Sequence, residues 1–425
     1  MTLRAEKNGL APEWNKGECG EAFSGMWEKL FFNFVGQVVQ VGQLTIVLAN
    51  GTTRSFGDGV GGPSITITLK DPDLPRKMVM NPDMAMGEAY RDGRFEIEND
   101  DLHAYFELVL LNLSQTRQAW WQAPLHLSQM ALRKLDQFNP LSRARRNVAH
   151  HYDLSAELYD LFLDADRQYS CAYFERPDMT LEEAQEAKKR HIAKKLMIEP
   201  GMRVLDIGCG WGGMALTLAR DYGARVVGVT LSEEQHALAT RRAAQEGLSD
   251  QVEFRLIDYR KVNESFDRIV SVGMFEHVGA PHYREYFDTV ERMLTPDGIA
   301  LIHTIGRLTP PGYTSPFIRK YIFPGGYVPA LSEMSAAIEH TSLWTEDVEI
   351  WRLHYAETLL HWVKRFEARQ EEAKAIYDDK FCRMWRYYLI ACEMTFRLDY
   401  QVVFQVQLAR RQDAVPITRD YMCDR

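Results

Sequence analysis

Two hydrophobic rhythms divide the chain. Between residues 34 and 70 the apolar positions recur every second residue and predict strands. Leu44-Thr-Ile-Val-Leu48 and Thr52-Thr-Arg-Ser-Phe56 flank Asn50-Gly51, a pair that accepts the positive φ of a tight turn, so this stretch reads as a hairpin. A loop rich in glycine, Gly57 to Gly62, leads into Ile65-Thr-Ile-Thr-Leu69, a strand with one buried face. From Asp101 to Leu132 the pattern turns helical and strongly apolar, taking in Leu108-Val-Leu-Leu111 and the pair Trp120-Trp121. Arg133, Lys134, Arg143, Arg145 and Arg146 then surround Asn139-Pro140. The domain boundary is placed there, giving an N-terminal unit of 1–138 and a second unit of 139–425.

Beyond the boundary strands alternate with helices, the pattern of an α/β doubly wound sheet beside a smaller N-terminal α+β domain. Predicted strands are Arg203 to Ile207, Arg225 to Val229, Val252 to Ile257, Phe266 to Val272 and Gly298 to Thr304. A loop from Pro310-Pro-Gly312 to Phe323-Pro-Gly-Gly326, another helix and a strand near Val348 to Trp351 follow. A long helical region from Glu357 to Leu398 precedes a last strand, Gln401 to Leu408, completing seven.

Composition narrows the function classes. The 425 residues are 46% apolar and 26% charged, which excludes a mostly disordered chain. A net charge of -9 makes nucleic acid an unexpected partner. Six scattered cysteines without a CxxC pair suit a reducing cytosol and argue against structural zinc, so no metal is expected. The polar start does not resemble a signal peptide, and no apolar run nears the roughly 20 residues of a spanning helix.

The strongest chemical signal is Val204-Leu-Asp-Ile-Gly-Cys-Gly-Trp-Gly-Gly213, a strand running through a glycine-rich turn into a helix near Met214. Glycines allow close backbone approach to a ligand, and Asp206 at the strand end can hydrogen-bond it. The order D-x-G-x-G resembles motif I of class I S-adenosylmethionine methyltransferases. The second strand ends in Val229-Thr-Leu-Ser232, without the ribose-binding acid of nicotinamide enzymes.

Further motifs resemble one branch of that superfamily: Asn147-Val-Ala-His-His-Tyr-Asp153, Tyr169-Ser-Cys-Ala-Tyr-Phe174, Thr230-Leu-Ser-Glu-Glu-Gln235, Met274-Phe-Glu-His-Val-Gly279 and Tyr321-Ile-Phe-Pro-Gly-Gly326. In order and content they are similar to the cyclopropane-fatty-acyl-phospholipid synthases and mycolic acid cyclopropane synthases. The N-terminal hairpin region matches the two-domain phospholipid enzymes better than the shorter mycolate enzymes.

The resemblance implies transfer of a methylene unit from S-adenosylmethionine to the cis double bond of an unsaturated phospholipid acyl chain. An alkene is a poor nucleophile and the resulting cation is water-sensitive, so a dry aromatic site is required. The resemblance implies cofactor contacts at Tyr169, Ser170, Asp206, Gly208, Gly210, Gly212, Thr230, Leu231, Gln235, Asp258 and Tyr259, with Glu233 the weakest assignment. It also implies a bicarbonate base caged by Cys171, Glu276, His303, Ile305 and Tyr355. Ile305 and Cys171 would give backbone N–H groups, His303 and Tyr355 side-chain donors, and Glu276 would accept the bicarbonate O–H. Tyr173, Phe174, Tyr321, Phe323, Gly325, Trp362 and Cys392 are expected in the substrate pocket. Cys392 has no neighbour that would activate a thiolate, so it is read as pocket lining. His277 is expected to point away from Glu276, as neighbours on a strand end do.

The implied substrate lies in a bilayer, so peripheral contact with the inner face of a membrane is expected. Trp120-Trp121 and the basic run are the candidate patch. Two alternatives stay open. The same core could give a methyl-branched or methylene product, and the N-terminal unit could serve assembly into a homodimer.

Overall fold

The computed structural model describes residues 16–115 and 155–422. The expected membrane patch at Trp120-Trp121 and Arg133 to Arg146, the boundary at Asn139-Pro140 and the motif Asn147 to Asp153 lie outside the described residues.

The N-terminal part is a four-stranded sheet with helices against it. Its strands β1 (Gln43–Val47), β2 (Thr53–Phe56), β3 (Ser64–Leu69) and β4 (Phe95–Ile97) run in the order β2-β1-β3-β4. Asn50-Gly51 forms the predicted hairpin, with Gly51 at φ 83° and Val47 paired to Thr53. Burial alternates along β1 and β3, as the period-two pattern requires. Residues 34–38 were expected to be extended, but they end the helix Lys16–Val38. Phe31, Phe32, Val35 and Val39 are buried at helical spacing, and this tertiary face overrides the β propensity of the valines. The helix expected from Asp101 is observed as Leu102–Gln115 up to the last described residue there.

The larger part is a seven-stranded sheet of order β10-β11-β9-β8-β5-β6-β7. Its strands are β5 (Arg203–Ile207), β6 (Arg225–Thr230), β7 (Val252–Leu256), β8 (Phe266–Val272), β9 (Leu294–Arg307), β10 (Trp344–Trp351) and β11 (Gln401–Ala409). Only β11 opposes the direction of the others. Every predicted strand of this sheet is present, with ends moved by a few residues. The long helical region divides into His354–Ala368, Gln370–Ile376 and Asp379–Leu398. The chain winds from β5 outward through β6 and β7, then returns to β8 on the other side. That leaves a crevice beyond the carboxyl ends of β5 and β8, where open α/β sheets bind ligands.

One hydrophobic core runs through both parts. Tyr387 on Asp379–Leu398 meets Tyr90 at 5.7 Å, Phe106 at 5.0 Å and Phe317 at 5.1 Å between ring centroids. Arg386 donates to the Tyr90 hydroxyl at 2.7 Å and to Asp100 at 3.0 Å. Asp83 of the N-terminal helix Pro82–Arg91 accepts from Ser315 Oγ at 2.8 Å and from the Phe317 N–H at 3.2 Å. An acid from one part therefore caps the helix Pro316–Tyr321 of the other.

Gly87 permits this docking, because a Cβ there would overlap the Phe317 ring. Alanine in an open helix would add roughly 0.5–1 kcal/mol of stability over glycine. Overpacking costs roughly 1–3 kcal/mol and outweighs it. Gly87→Ala is accordingly expected to lower the urea midpoint at unchanged m-value; a raised midpoint would contradict the tight interface.

Candidate active site

The crevice is walled by the carboxyl ends of β5 to β8 and by the segment 166–170. At the end of β5 the backbone turns through Gly208, at φ 80°, where a side chain would strike Met274. Of the expected cofactor residues, Tyr169, Ser170, Asp206, Gly208, Gly210, Thr230, Leu231, Gln235, Asp258 and Tyr259 line this cavity. Gly212 does not. It caps the helix Gly213–Tyr222 at φ 89° and is required by the close approach of Phe254 and Ala239. Glu233 is exposed in the first turn of Glu233–Gln245, where an acid suits the helix dipole.

The polar groups of the cavity are unequally satisfied. Asp206 is 2% exposed, its Oδ2 has no partner, and burial raises its pKa to about 7. Asp258 instead holds Arg260 through both oxygens, at 2.8 Å each. Thr230 donates to Gln235 Oε1 at 2.8 Å, which leaves the Gln235 amide nitrogen as its donor end. An unpaired buried carboxyl calls for a cationic or donor ligand, which the ammonium of S-adenosylmethionine provides.

None of the five expected cage residues lines the cofactor cavity. Glu276 sits in the 3-10 turn Phe275–His277, and its Oε1 accepts the Ile305 N–H at 2.6 Å. This corrects the expectation that the Ile305 N–H is open to an anion: a buried carboxylate has taken the donor. Glu276 Oε2 has no partner, and desolvation raises the pKa to about 7. His303 lies two residues before Ile305 on the same face of β9. The Gln405 amide nitrogen meets its Nδ1 at 3.1 Å, so the ring proton belongs on Nε2. Burial holds the His303 pKa well below the ordinary value. Cys171 is fully buried and its thiol donates to the Ala172 carbonyl at 3.3 Å; burial pushes its pKa up. Tyr355 packs on Phe396 at 4.7 Å and on Trp362 at 5.8 Å.

His277 does diverge from Glu276, through a helical turn and not the assumed strand end. It is His277 that lines the cavity, with burial lowering its pKa to about 4.

The expected substrate residues separate into groups. Trp362 stacks on Tyr169 at 5.2 Å, Tyr169 and Tyr388 share a hydroxyl hydrogen bond of 2.8 Å, and Phe323 meets Tyr388 edge-on at 5.9 Å. Cys392 lies one turn beyond Tyr388, and burial raises its thiol to about 12, which agrees with a lining role. Gly325 takes φ 77° in the Pro-Gly-Gly turn. Tyr173, Phe174 and Tyr321 have other partners. Tyr173 stacks on His191 at 4.5 Å and His354 at 4.9 Å, and Phe174 on His361 at 5.6 Å. The Tyr173 N–H donates to the Ala184 carbonyl and the Phe174 N–H to His354 Nδ1. Tyr321 donates to Glu88 at 2.7 Å across the interface of the two parts.

Sequence reasoning missed Lys188 and Gln185, fully buried on the helix Leu181–Lys195. That helix reads as a solvated charged surface. The available signal was spacing: Leu181, Ala184, Gln185, Lys188 and Ile192 share one face.

Two family models match the chain: mycolic acid cyclopropane synthetase over residues 140–406, and a domain of unknown function over residues 27–112. The chain is 40% identical to the cyclopropane-fatty-acyl-phospholipid synthase of Escherichia coli K12, over 85% of this chain and 93% of that one. It is 37% identical to a probable fatty acid methyltransferase of Pseudomonas putida, over 81% and 86%. Among solved structures, mycolic acid cyclopropane synthase CmaA1 complexed with SAH and CTAB superposes with a TM-score of 0.60 at 35% identity, over 64% of this chain and 100% of that one. With its glycine turn and orphaned Asp206 set in this sheet, the chain belongs to the mycolic acid cyclopropane synthetase family and is an S-adenosylmethionine-dependent methyltransferase.

Proposed function

We propose that the protein transfers a methylene unit from S-adenosylmethionine to the cis double bond of an unsaturated phospholipid acyl chain, forming a cyclopropane ring with bicarbonate as base. The observation that carries this reading is the aromatic wall of Tyr169, Trp362 and Tyr388, in which Tyr169 also lines the cofactor cavity. Bound S-adenosylmethionine would supply a methyl group on a cationic sulfur, and bicarbonate a proton acceptor. A cation developing on the acyl chain would face ring π-systems and not water, which stabilises it and prevents its capture.

Glu276 fits the cage role for a stated reason. Its Oε1 is fixed by Ile305, while Oε2 is orphaned at a pKa of about 7, so it can share a proton with an oxyanion instead of repelling it. His303 presents Nε2–H because Gln405 holds Nδ1. Tyr355 would donate its hydroxyl, and Cys171 its backbone N–H. The similarity to a probable fatty acid methyltransferase favours one second reading, a methyl-branched or methylene product from the same core.

Substrate chemistry places the enzyme at a membrane surface as a peripheral protein, with the N-terminal unit delivering lipid or supporting a homodimer. Among the described residues no helix is long and apolar enough to cross a membrane. With S-adenosylmethionine, bicarbonate and vesicles of unsaturated anionic phospholipid, the lipids are expected to gain one CH2 with loss of olefinic protons in mass and NMR spectra. Retained olefinic signal as a methylene group, or a saturated methyl branch, would select the second reading.

Glu276→Gln should lower kcat by about 10²–10⁴, the range of a lost acid–base group, with S-adenosylhomocysteine affinity unchanged by calorimetry. Equal losses in both would place Glu276 in the cofactor site. For Asp206, burial favours the neutral acid below about pH 7, whereas pairing with the cofactor ammonium requires the carboxylate. S-adenosylhomocysteine should therefore bind more weakly at pH 6 than at pH 7.5, and Asp206→Asn should flatten that dependence.

A further inference from the structure

Three lysines on the helix Leu181–Lys195 are buried, and two of them answer carboxylates. Lys189 pairs with Asp166 at 2.8 Å and Glu186 at 2.6 Å, and Lys195 pairs with Glu349. Lys188 differs. Among the described residues it forms no ion pair, and its Nζ donates to Ser170 Oγ at 2.7 Å and Gln168 Oε1 at 2.8 Å. Both acceptors belong to residues that line the cofactor cavity.

An ammonium only donates, so Ser170 Oγ acts as acceptor toward Lys188 and keeps its own proton for another group. Gln168 is tied at both ends of its amide, its oxygen accepting from Lys188 and its nitrogen donating one hydrogen to Asp166 at 2.9 Å. Gln185 donates to the carbonyls of Gln168 and Ser170, at 3.2 Å and 3.0 Å, and fixes the backbone beneath the hydroxyl. A neutral Lys188 amine could accept the Ser170 proton and cancel its direction. Burial lowers the lysine pKa only to about 8, so the ammonium persists at neutral pH; Asp164, Asp166, Lys189, Cys171 and His303 are the charged or titratable groups around it.

The amino-acid tail of an adenosyl cofactor is a zwitterion, and the cavity offers one feature for each end. Asp206, with its unpartnered oxygen, suits the ammonium. We infer that Lys188 is a positioning residue that turns Ser170 into a one-way hydrogen-bond donor for the carboxylate of the bound cofactor's amino-acid tail. This rests on the reading of the cavity as the cofactor site. Ser170 touches the tail, and Lys188 acts through it.

The test compares S-adenosylhomocysteine with 5′-methylthioadenosine, which lacks the tail, by calorimetry on the full chain. In Lys188→Met the first ligand should weaken about ten- to a hundred-fold, the loss expected for a hydrogen bond to a charged group. The second should change less than about three-fold, within the scatter of independent sites. Ser170→Ala should reproduce the selective loss, and adding Lys188→Met to it should cost little more, because one hydrogen bond cannot be lost twice. Lys188→Arg, which keeps a cationic donor, should recover part of the affinity. Equal weakening of both ligands in Lys188→Met would mean general loosening and overturn the inference, as would a Ser170→Ala variant that holds S-adenosylhomocysteine like the wild type. Should Lys188→Met not fold, Ser170→Ala and Lys188→Arg still decide it. Failure of the wild-type chain to bind either ligand would instead remove the cofactor assignment itself.

Discussion

Four consecutive residues, Gln168 to Cys171, stand in several environments at once, and hydrogen bonds from one helix hold them there. Gln168, Tyr169 and Ser170 line the cofactor cavity, the Tyr169 ring also stacks on Trp362, and Cys171 is sealed behind. A segment without regular structure cannot satisfy its own backbone carbonyls, so something outside must do so. Gln185 takes two of those carbonyls, and Lys188 takes two side-chain oxygens. Burying a lysine without a directly paired carboxylate is costly, and here the cost is offset by its two acceptors and by the nearby charges of Asp164 and Asp166. These contacts set the placement of Gln168, Tyr169 and Ser170 against the cavity.

Dryness follows from the same packing and sets the electrostatics of the site. Asp206 and Glu276 are raised toward neutrality and His277 and His303 lowered toward it, each by burial. Groups of both signs thus move toward their uncharged forms, as a low-dielectric site demands. Two carboxyl oxygens, Asp206 Oδ2 and Glu276 Oε2, are left without partners. Orphaned buried oxygens destabilise the fold by about 1–3 kcal/mol each, a cost that ligands can relieve. Their separation matters: Asp206 borders the cofactor cavity and Glu276 does not, so the two unpartnered oxygens belong to distinct polar niches.

Sequence was most legible where the backbone itself is functional. The strand ends and the glycine turn were readable because parallel strands need continuous apolar runs and a tight turn needs glycine. The cofactor residues implied by the resemblance line the cavity at those strand ends, except Gly212, whose glycine answers helix packing and not ligand approach. Aromatic positions were less legible. Tyr173, Phe174 and Tyr321 have the right chemistry for a cation-facing wall, yet ring direction is set by which helix pins the backbone, a long-range fact. Lys188 was hidden for the opposite reason. A lysine in so charged a helix is easily overlooked: its spacing with Leu181, Ala184 and Ile192 signals an inward face, and the tertiary partner on a preceding loop shows what it holds there. The helix Lys16–Val38 ran against local propensity because its apolar face packs on the sheet.

The contacts of Tyr321 and its neighbours show what the N-terminal part holds in place. Tyr321 and Lys320 bind Glu88, Ser315 and Phe317 bind Asp83, and the Phe317 ring fills the space above Gly87. Ser315 caps the helix Pro316–Tyr321 and the other three lie on it, and two residues further on Phe323 packs against both the cavity-lining His277 and the wall residue Tyr388. The path from Asp83 to His277 is therefore short and made of packed side chains, hydrogen bonds and one helical turn. Asp83 is half-buried, and desolvation raises its pKa, so separating the two parts would expose an acid and strip a helix of its cap. Both consequences favour a docked arrangement in which the wall loop is held from outside the catalytic sheet. The position of Phe323 beside the cavity-lining His277 therefore depends on the N-terminal helix as well as on the catalytic sheet.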